Sequence, residues 1–89
     1  MEEALNNVLN RVPAEDRAVI VEELTRRNPV LLAALESATE PTNQQSDAVI
    51  DALSYALSAN YGEGHVPNKY GLAIERAIDA YLEAWPIHR

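Results

Sequence analysis

Cysteine, phenylalanine and long apolar runs are all missing from this sequence of 89 residues. Without cysteine the chain has no disulfide, no thiol nucleophile and no thiolate metal ligand. No apolar run approaches the roughly 18 residues that a membrane-spanning helix needs. The first ten residues, MEEALNNVLN, are acidic and polar and do not resemble a secretory signal peptide. We therefore expect a cytoplasmic protein with no membrane partner.

Positive charge is also scarce, since seven lysines and arginines stand against 14 aspartates and glutamates, for a net charge of −7. A protein that binds the nucleic-acid backbone needs clustered basic side chains, so nucleic acid is not expected as a partner. The acidity favours either a basic protein partner or simple solubility. No lysine or arginine occurs between Arg27 and Lys69, which concentrates the negative charge in the middle of the chain.

A length of 89 residues predicts one domain, residues 1–89. The 47% of apolar residues, with no phenylalanine, predict a core mostly of leucine, isoleucine, valine and alanine. Alanine buries little area, and burial of apolar area stabilises a fold by roughly 25 cal/mol per Å². The core therefore needs either close helix packing or the support of a second chain.

The apolar residues recur with helical spacing, and no stretch alternates with period two for long enough to predict a strand. Helical segments are predicted over residues 2–11, 13–28, 29–40, 42–60 and 67–85. Because short connections join antiparallel neighbours, the predicted fold class is all-α, a small bundle of four to five largely antiparallel helices.

Local signals place several helix ends. Pro13 stands where a first helical position is expected, and Asn28 followed by Pro29 is a second start signal. Thr42 and Gln45 have the spacing of a capping box. The segment after Pro29 is apolar on most sides, so we expect it to lie deep in the fold.

The least ordinary stretch is YGEGHVPNKYG, residues 61–71, which holds all three glycines and the only lysine. Gly62 and Gly64 have the first spacing of a dinucleotide-binding loop, but the third glycine and the preceding strand are missing. Glu63 and His65 offer a carboxylate and an imidazole, yet zinc needs three or four protein ligands and no E-x-x-H or H-x-x-x-H pattern occurs. We therefore predict no cofactor, no metal and no enzyme activity.

The same stretch has a plain interpretation as a connection between two helices. Asn68 is positioned to cap the following helix, and Gly71 allows another backbone to come close. The alternative is a binding element, because amphipathic side chains that suit an interface share one turn expected to be exposed. Its members are Tyr61, His65, Lys69 and Tyr70.

Opposite charges are paired in the second predicted helix, where Glu22 and Glu23 each stand four residues before an arginine. Such pairs stabilise a helix by about 0.2–0.5 kcal/mol each. The later helices show the reverse pattern, in which acidic residues stand four positions from other acidic residues.

Asp47 and Asp51 are an acidic pair in the fourth predicted helix, and Glu75, Asp79 and Glu83 form an acidic row in the fifth. These rows are either a solvated face or a surface kept for a basic partner, because complementary charge speeds encounter and suppresses wrong partners. If the two helices pack together, both rows can flank the 62–71 connection. The candidate partner-binding residues are Asp47, Asp51, Tyr61, Glu63, His65, Tyr70, Glu75, Asp79 and Glu83.

The leading functional hypothesis is a small acidic helical module that inhibits a basic protein, as an immunity protein, an antitoxin or a phage-encoded inhibitor does. Size, acidity and helical content resemble those of the immunity proteins of DNase colicins. The tyrosine-pair-then-proline motif with which those proteins bind is not found, because Tyr61 is followed by Gly62. The resemblance is one of type, and no residue role is transferred.

Two other hypotheses stay open. The chain can be a structural or accessory subunit, acting as a homo-oligomer that buries its alanine-rich helices and the late Trp85-Pro86-Ile87 against another chain. The third, which the residues support least, is an enzyme or metal-binding domain that uses His65.

Overall fold

The computed structural model of the chain describes residues 7–60 and 66–87. Within these ranges the chain forms one short 3-10 helix, Val8–Arg11, and four α-helices, and none of the described elements is a β-strand. The α-helices are α1 Ala14–Arg27, α2 Pro29–Glu36, α3 Asn43–Ser58 and α4 Lys69–Ala84. The all-α class predicted from the sequence is confirmed.

Helices that follow one another in the chain run in opposite directions. A hydrogen bond between Ser46 and Tyr81 joins the start of α3 to the end of α4, while the Asn68 amide donates to the Asn60 carbonyl at the other end. The Val8 amide donates to the Ala38 carbonyl, so α2 returns to the end of the bundle where the chain begins. The bundle therefore has an up-down-up-down course, as short connections require.

The predicted caps of α2, α3 and α4 are confirmed. The Asn28 side chain caps α2, with Pro29 in its first turn. Thr42 and Gln45 form the complete capping box at the start of α3. The Asn68 side chain accepts a hydrogen bond of 2.8 Å from the third residue of α4. Each of these contacts satisfies amides that a helix start leaves without a backbone partner.

The first predicted segment is corrected in the part that the structure describes. The chain there forms a 3-10 helix of four residues, because the Asn7 side chain accepts from the amides of Leu9 and Asn10 and so sets its start. Val12 then takes an extended conformation, which the following proline favours. Residues 2–6 lie outside the described ranges.

The start of α1 also differs from the prediction, since Pro13 is the residue before the helix rather than its first member. Pro13 has a ψ of 149°, and the helical conformation begins at Ala14. No side chain caps this start. Glu15 and Asp16 lie in the first turn instead, where negative charge complements the helix dipole.

The core lies between α1, α3 and α4 and is lined by α2 and the 3-10 helix. Its largest fully buried side chain is Tyr81. The Tyr81 and Ser46 hydroxyls share a buried hydrogen bond of 2.8 Å, so both polar groups are satisfied. The buried apolar residues are Val8, Leu9, Val12, Ile20, Leu24, Leu31, Leu35, Val49, Leu53, Ala56, Ile74, Ala77 and Tyr81.

The α2 helix is less deeply placed than its composition suggested. Only Leu31 and Leu35 of this helix are buried, and Val30 is 79% exposed. With eight residues, α2 covers one side of the bundle and leaves its outer face in solvent.

Trp85 ties the start of the described chain to the end of α4. Its indole N–H donates to the Val8 carbonyl over 2.9 Å, and the Arg11 guanidinium carbon lies 4.7 Å from the ring centroid. A stacked cation and an indole hydrogen bond together fix the half-buried ring against the 3-10 helix.

Asn60 and Pro67, on either side of residues 61–65, both lie close to Gly71 on α4. A Cβ atom there would lie 2.8 Å from the Asn60 carbonyl oxygen and 2.9 Å from Cβ of Pro67. This confirms the close backbone approach predicted for Gly71.

Among the described helices, none combines the length and the apolar character needed to cross a membrane.

Candidate functional site

A groove of about 480 Å³ runs between α3 and α4 and continues to the segment after α4. The half-buried side chains of Ile50 and Leu82 line it, one at the edge of each helix. Pro86 and Ile87 close one end. We call this the α3–α4 groove; its remaining lining residues are the two acids Asp47 and Asp51.

The acids of α4 share one side of that helix with Leu82, which lines the groove. Leu82 follows Asp79 by three residues and Glu75 by seven, spacings that place all three on one side of a helix. Glu83, four residues after Asp79, continues this row, and all three acids are exposed. The acids that line the groove, Asp47 and Asp51, thus belong to α3, and those of α4 are not among its lining residues. We call these five acids, Asp47, Asp51, Glu75, Asp79 and Glu83, the acidic face.

The acids of α1 and those of the acidic face differ in their ion pairing. On α1, Glu22 and Glu23 form ion pairs with Arg26 and Arg27. The two pairs predicted from the sequence are confirmed, with N–O distances of 2.8 Å in each. Asp51, Glu75, Asp79 and Glu83 form no ion pair with any described residue. Arg76 is exposed on α4 and does not pair with Asp79.

The acidic face runs along α3 and α4 away from the end of the bundle where the Asn68 amide donates to the Asn60 carbonyl. Asp47 lies beside Ser46, which bonds to Tyr81 at the far end of α4. Along α3, Asp47 is about 20 Å from Asn60, given about 1.5 Å per helical residue. Of the acids on α4, Glu75 lies closest along the chain to Asn68.

The predicted binding element in the connection is placed only in part. Tyr61, Glu63 and His65 lie outside the described residues. Lys69 is exposed in the first turn of α4. Tyr70 is half-buried, and its hydroxyl donates to the carboxylate of Glu23, so it packs against α1 instead of standing on an exposed turn.

The burial of Glu23 is the feature that sequence analysis missed. Its side chain is only 1% exposed. It accepts a 2.6 Å hydrogen bond from Tyr70 and a 2.8 Å hydrogen bond from the Arg27 side chain. Burial raises the pKa of Glu23, but the hydrogen bonds from Tyr70 and Arg27, with the charges of Arg27 and Arg26, outweigh it and leave the pKa lowered. The carboxylate therefore stays ionised inside the bundle.

Tyr70 holds its proton as the donor of this contact. Burial, followed by the hydrogen bond to Glu23 and the charges of Glu23 and Glu22, raises the pKa of its hydroxyl above the usual range. The Glu23 carboxylate, the Tyr70 hydroxyl and the Arg27 side chain are hydrogen-bonded to one another. The cluster is a structural link between α1 and α4.

Tyr55 is a second residue that sequence analysis did not single out. It is 68% exposed on α3, and the Arg27 guanidinium carbon lies 4.9 Å from its ring centroid. Tyr55 follows Asp51 by one turn, and both line a shallow depression of about 570 Å³ with Arg27. The available signal was a tyrosine on the polar side of the helix, one turn after Asp51, since tyrosine is enriched in protein interfaces.

The described residues contain no group of three or more histidine, aspartate and glutamate side chains arranged to hold a metal ion. What the surface offers is negative charge along two helices beside an apolar groove. Comparison with protein-family models, with curated proteins and with solved structures gives no match.

Proposed function

We propose that this protein is a small acidic helical module that binds a basic site on another protein and inhibits it, in the manner of an immunity protein or an antitoxin. The observation that carries the proposal is the acidic face along α3 and α4, two of whose acids, Asp47 and Asp51, line the α3–α4 groove. Four of its five acids have no ion-pair partner among the described residues, in contrast to the paired acids of α1.

Exposed acids such as Asp51 and Asp79, which form no ion pair with a described residue, suit electrostatic recognition. Complementary charge raises the rate of encounter and disfavours partners that are themselves acidic. A basic site that normally binds phosphate groups would be covered by such a face, and its natural ligand would then be kept out. In this proposal the partner is a protein, and neither nucleic acid nor a membrane surface is bound.

The homo-oligomer hypothesis has less support from the described residues. Trp85, which that hypothesis places in an interface, instead makes its hydrogen bond and its cation contact within the chain. Two copies that met through the acidic face would also bring like charges together. No specific observation favours the enzyme hypothesis, whose main residue, His65, lies outside the described ranges.

The proposal is tested by capture from a lysate of the source organism, with three baits compared in parallel at low and at high salt. The baits are the wild type, a double reversal in the acidic face, Asp51→Lys with Asp79→Lys, and a control, Glu36→Lys with Glu40→Lys. All four positions are exposed, and each double variant changes the formal net charge from −7 to −3, because two carboxylates become two ammonium groups.

The proposal predicts a basic protein, identified by mass spectrometry, that is retained by the wild type and the control, released by high salt and lost from the reversed bait. Inhibition is then checked by adding the wild type to the purified partner and following the partner's own activity. Retention by the reversed bait equal to that by the control would contradict the proposal.

A further inference from the structure

Tyr55 is joined to the interior of the bundle by a continuous series of side-chain contacts. The Arg27 guanidinium carbon lies 4.9 Å from the centroid of the Tyr55 ring, and Nε of Arg27 donates to Oε1 of Glu23 over 2.8 Å. The other carboxylate oxygen of Glu23, Oε2, accepts from the Tyr70 hydroxyl over 2.6 Å. The exposed fraction rises from 1% for the Glu23 side chain and 29% for the Arg27 side chain to 68% for Tyr55. A buried carboxylate thus connects to an exposed ring through one arginine.

We infer that Glu23 is a positioning residue: by holding Arg27 in place, it fixes the Tyr55 ring as an ordered contact for the basic partner protein. This inference rests on the proposed function, and it adds an aromatic contact to the surface that the acidic face provides. Tyr55 stands one helical turn after Asp51, and both line the same depression, so the ring adjoins the acidic face.

Arg27 makes both contacts at once because a guanidinium group is planar. Its edge carries the N–H groups that donate to a carboxylate, while its face stacks on an aromatic ring. A cation within about 6 Å of a ring centroid is attracted by the charge distribution of the ring, and the Arg27 guanidinium meets this condition. The contact with Glu23 therefore determines where the stacked group lies, and the stacked group determines where the ring lies.

An exposed tyrosine that is already ordered suits a binding surface. Tyrosine is enriched among the interface residues whose truncation weakens binding most. Binding normally has to order such side chains at a cost in free energy, which a ring held beforehand avoids. The positive charge of Arg27 is offset by Glu23, and Asp51, which forms no ion pair with a described residue, lines the same depression. The surroundings of the ring are therefore compatible with a basic partner.

The first test follows the ring by NMR in the full chain and needs no partner. In the wild type, nuclear Overhauser effects should connect the Arg27 side-chain protons to the Tyr55 ring protons. Glu23→Met fills similar space but offers Arg27 no acceptor, so these effects should be lost and the ring signals should move. Tyr70→Phe is the matched control, because it removes the hydrogen bond to Oε2 and leaves Oε1 to Arg27. In that variant the effects should remain.

Three results would overturn the positioning role. Absence of the effects in the wild type would remove the contact itself. Their persistence in a folded Glu23→Met would show that Arg27 reaches the ring without Glu23. Their loss from Glu23→Met and Tyr70→Phe alike would show that the ring position follows overall stability. If Glu23→Met does not fold, Glu23→Gln is measured in its place; it should weaken the same effects, and unchanged effects would contradict the inference.

The contact role of Tyr55 is tested by calorimetric titration with the partner protein identified by capture. Tyr55→Ala should weaken binding by at least about tenfold, whereas Val30→Ala, at an exposed apolar position on α2, should leave it unchanged. Glu23→Met should weaken binding by a smaller factor. Wild-type affinity in Tyr55→Ala would overturn the inference, while the charge-reversal capture judges the proposed function separately. If no basic partner is captured, the proposed function fails, and the NMR measurement still decides whether Glu23 holds the ring.

Discussion

The hydroxyl of Tyr70 on α4 donates a hydrogen bond of 2.6 Å to the buried carboxylate of Glu23 on α1. The two residues are 47 positions apart in the sequence, and Arg27 completes the contact from the next turn of α1. A buried charge is tolerated only when it is paired and hydrogen-bonded, and here both conditions are met. The link fixes how α4, which carries much of the acidic face, sits on α1.

Tyr70→Phe should therefore lower the free energy of unfolding by about 1.5–3 kcal/mol, because it removes a hydrogen bond to a charged group. Urea denaturation followed by circular dichroism measures this loss. Tyr55→Phe is the matched control, since its exposed hydroxyl makes no hydrogen bond to a described residue, and it should change stability by less than about 0.5 kcal/mol. Equal effects of the two variants would show that the Glu23 contact contributes nothing.

The pKa of Glu23 gives a pH dependence with a definite sign. A carboxyl group whose pKa is lower in the folded state stabilises the fold above its unfolded pKa, which is about 4.3 for glutamate. That contribution is lost as the pH falls through the lower, folded pKa. The stability difference between wild type and Glu23→Gln should thus be largest near neutral pH and shrink as the pH drops below about 4.3. A difference that stayed constant with pH would contradict the assignment.

Two isoleucines one turn apart on α4 should differ in their contribution to stability. Ile74 is fully buried, so Ile74→Ala should cost about 2–5 kcal/mol, and Leu53→Ala on α3 should cost a similar amount. Ile78 is only half-buried beside the core, and its replacement by alanine should cost clearly less. Denaturant titrations of the three variants measure these losses. A larger loss at Ile78 than at Ile74 would mean that the wrong face of α4 has been placed inward.

Gly71→Ala tests packing against helix propensity. Alanine is favoured over glycine in a helix interior by about 1 kcal/mol, which alone would make the variant more stable. The added Cβ would instead lie 2.8 Å from the Asn60 carbonyl oxygen, so the backbone must shift. We expect a net loss of about 1–3 kcal/mol, measured by urea denaturation. A gain in stability would show that the connection moves aside freely.

The helix starts could be predicted from the sequence because their signals are local. Asn28 with Pro29, Thr42 with Gln45, and Asn68 each act on amides within a few residues, and all three caps are confirmed. The first segment shows the limit of apolar spacing. The Asn7 cap and the proline at position 13 leave room for only a 3-10 turn between them, although the apolar positions fit a longer helix.

The site was less predictable, because its contacts join distant parts of the chain. Nothing near Glu23 in the sequence indicates that Tyr70 will cover it, and a carboxylate on a charged helix is usually exposed. The α3–α4 groove likewise depends on Ile50 meeting Leu82, which follows from the packing of two helices and not from either segment alone. The acidic face was found because its i, i+4 spacing is a property of each helix by itself.

The most direct measurement is the rate at which the partner identified by capture associates with three forms of this protein. The rate is measured at low and at physiological salt. These are the wild type, Asp51→Lys with Asp79→Lys, and the control Glu36→Lys with Glu40→Lys. We predict that reversal in the acidic face slows association by at least about tenfold at low salt, while the control associates at nearly the wild-type rate. At physiological salt the difference in association rate between the wild type and the reversed variant should be smaller. Equal association rates for all three proteins would contradict the claim that the acidic face is the binding surface.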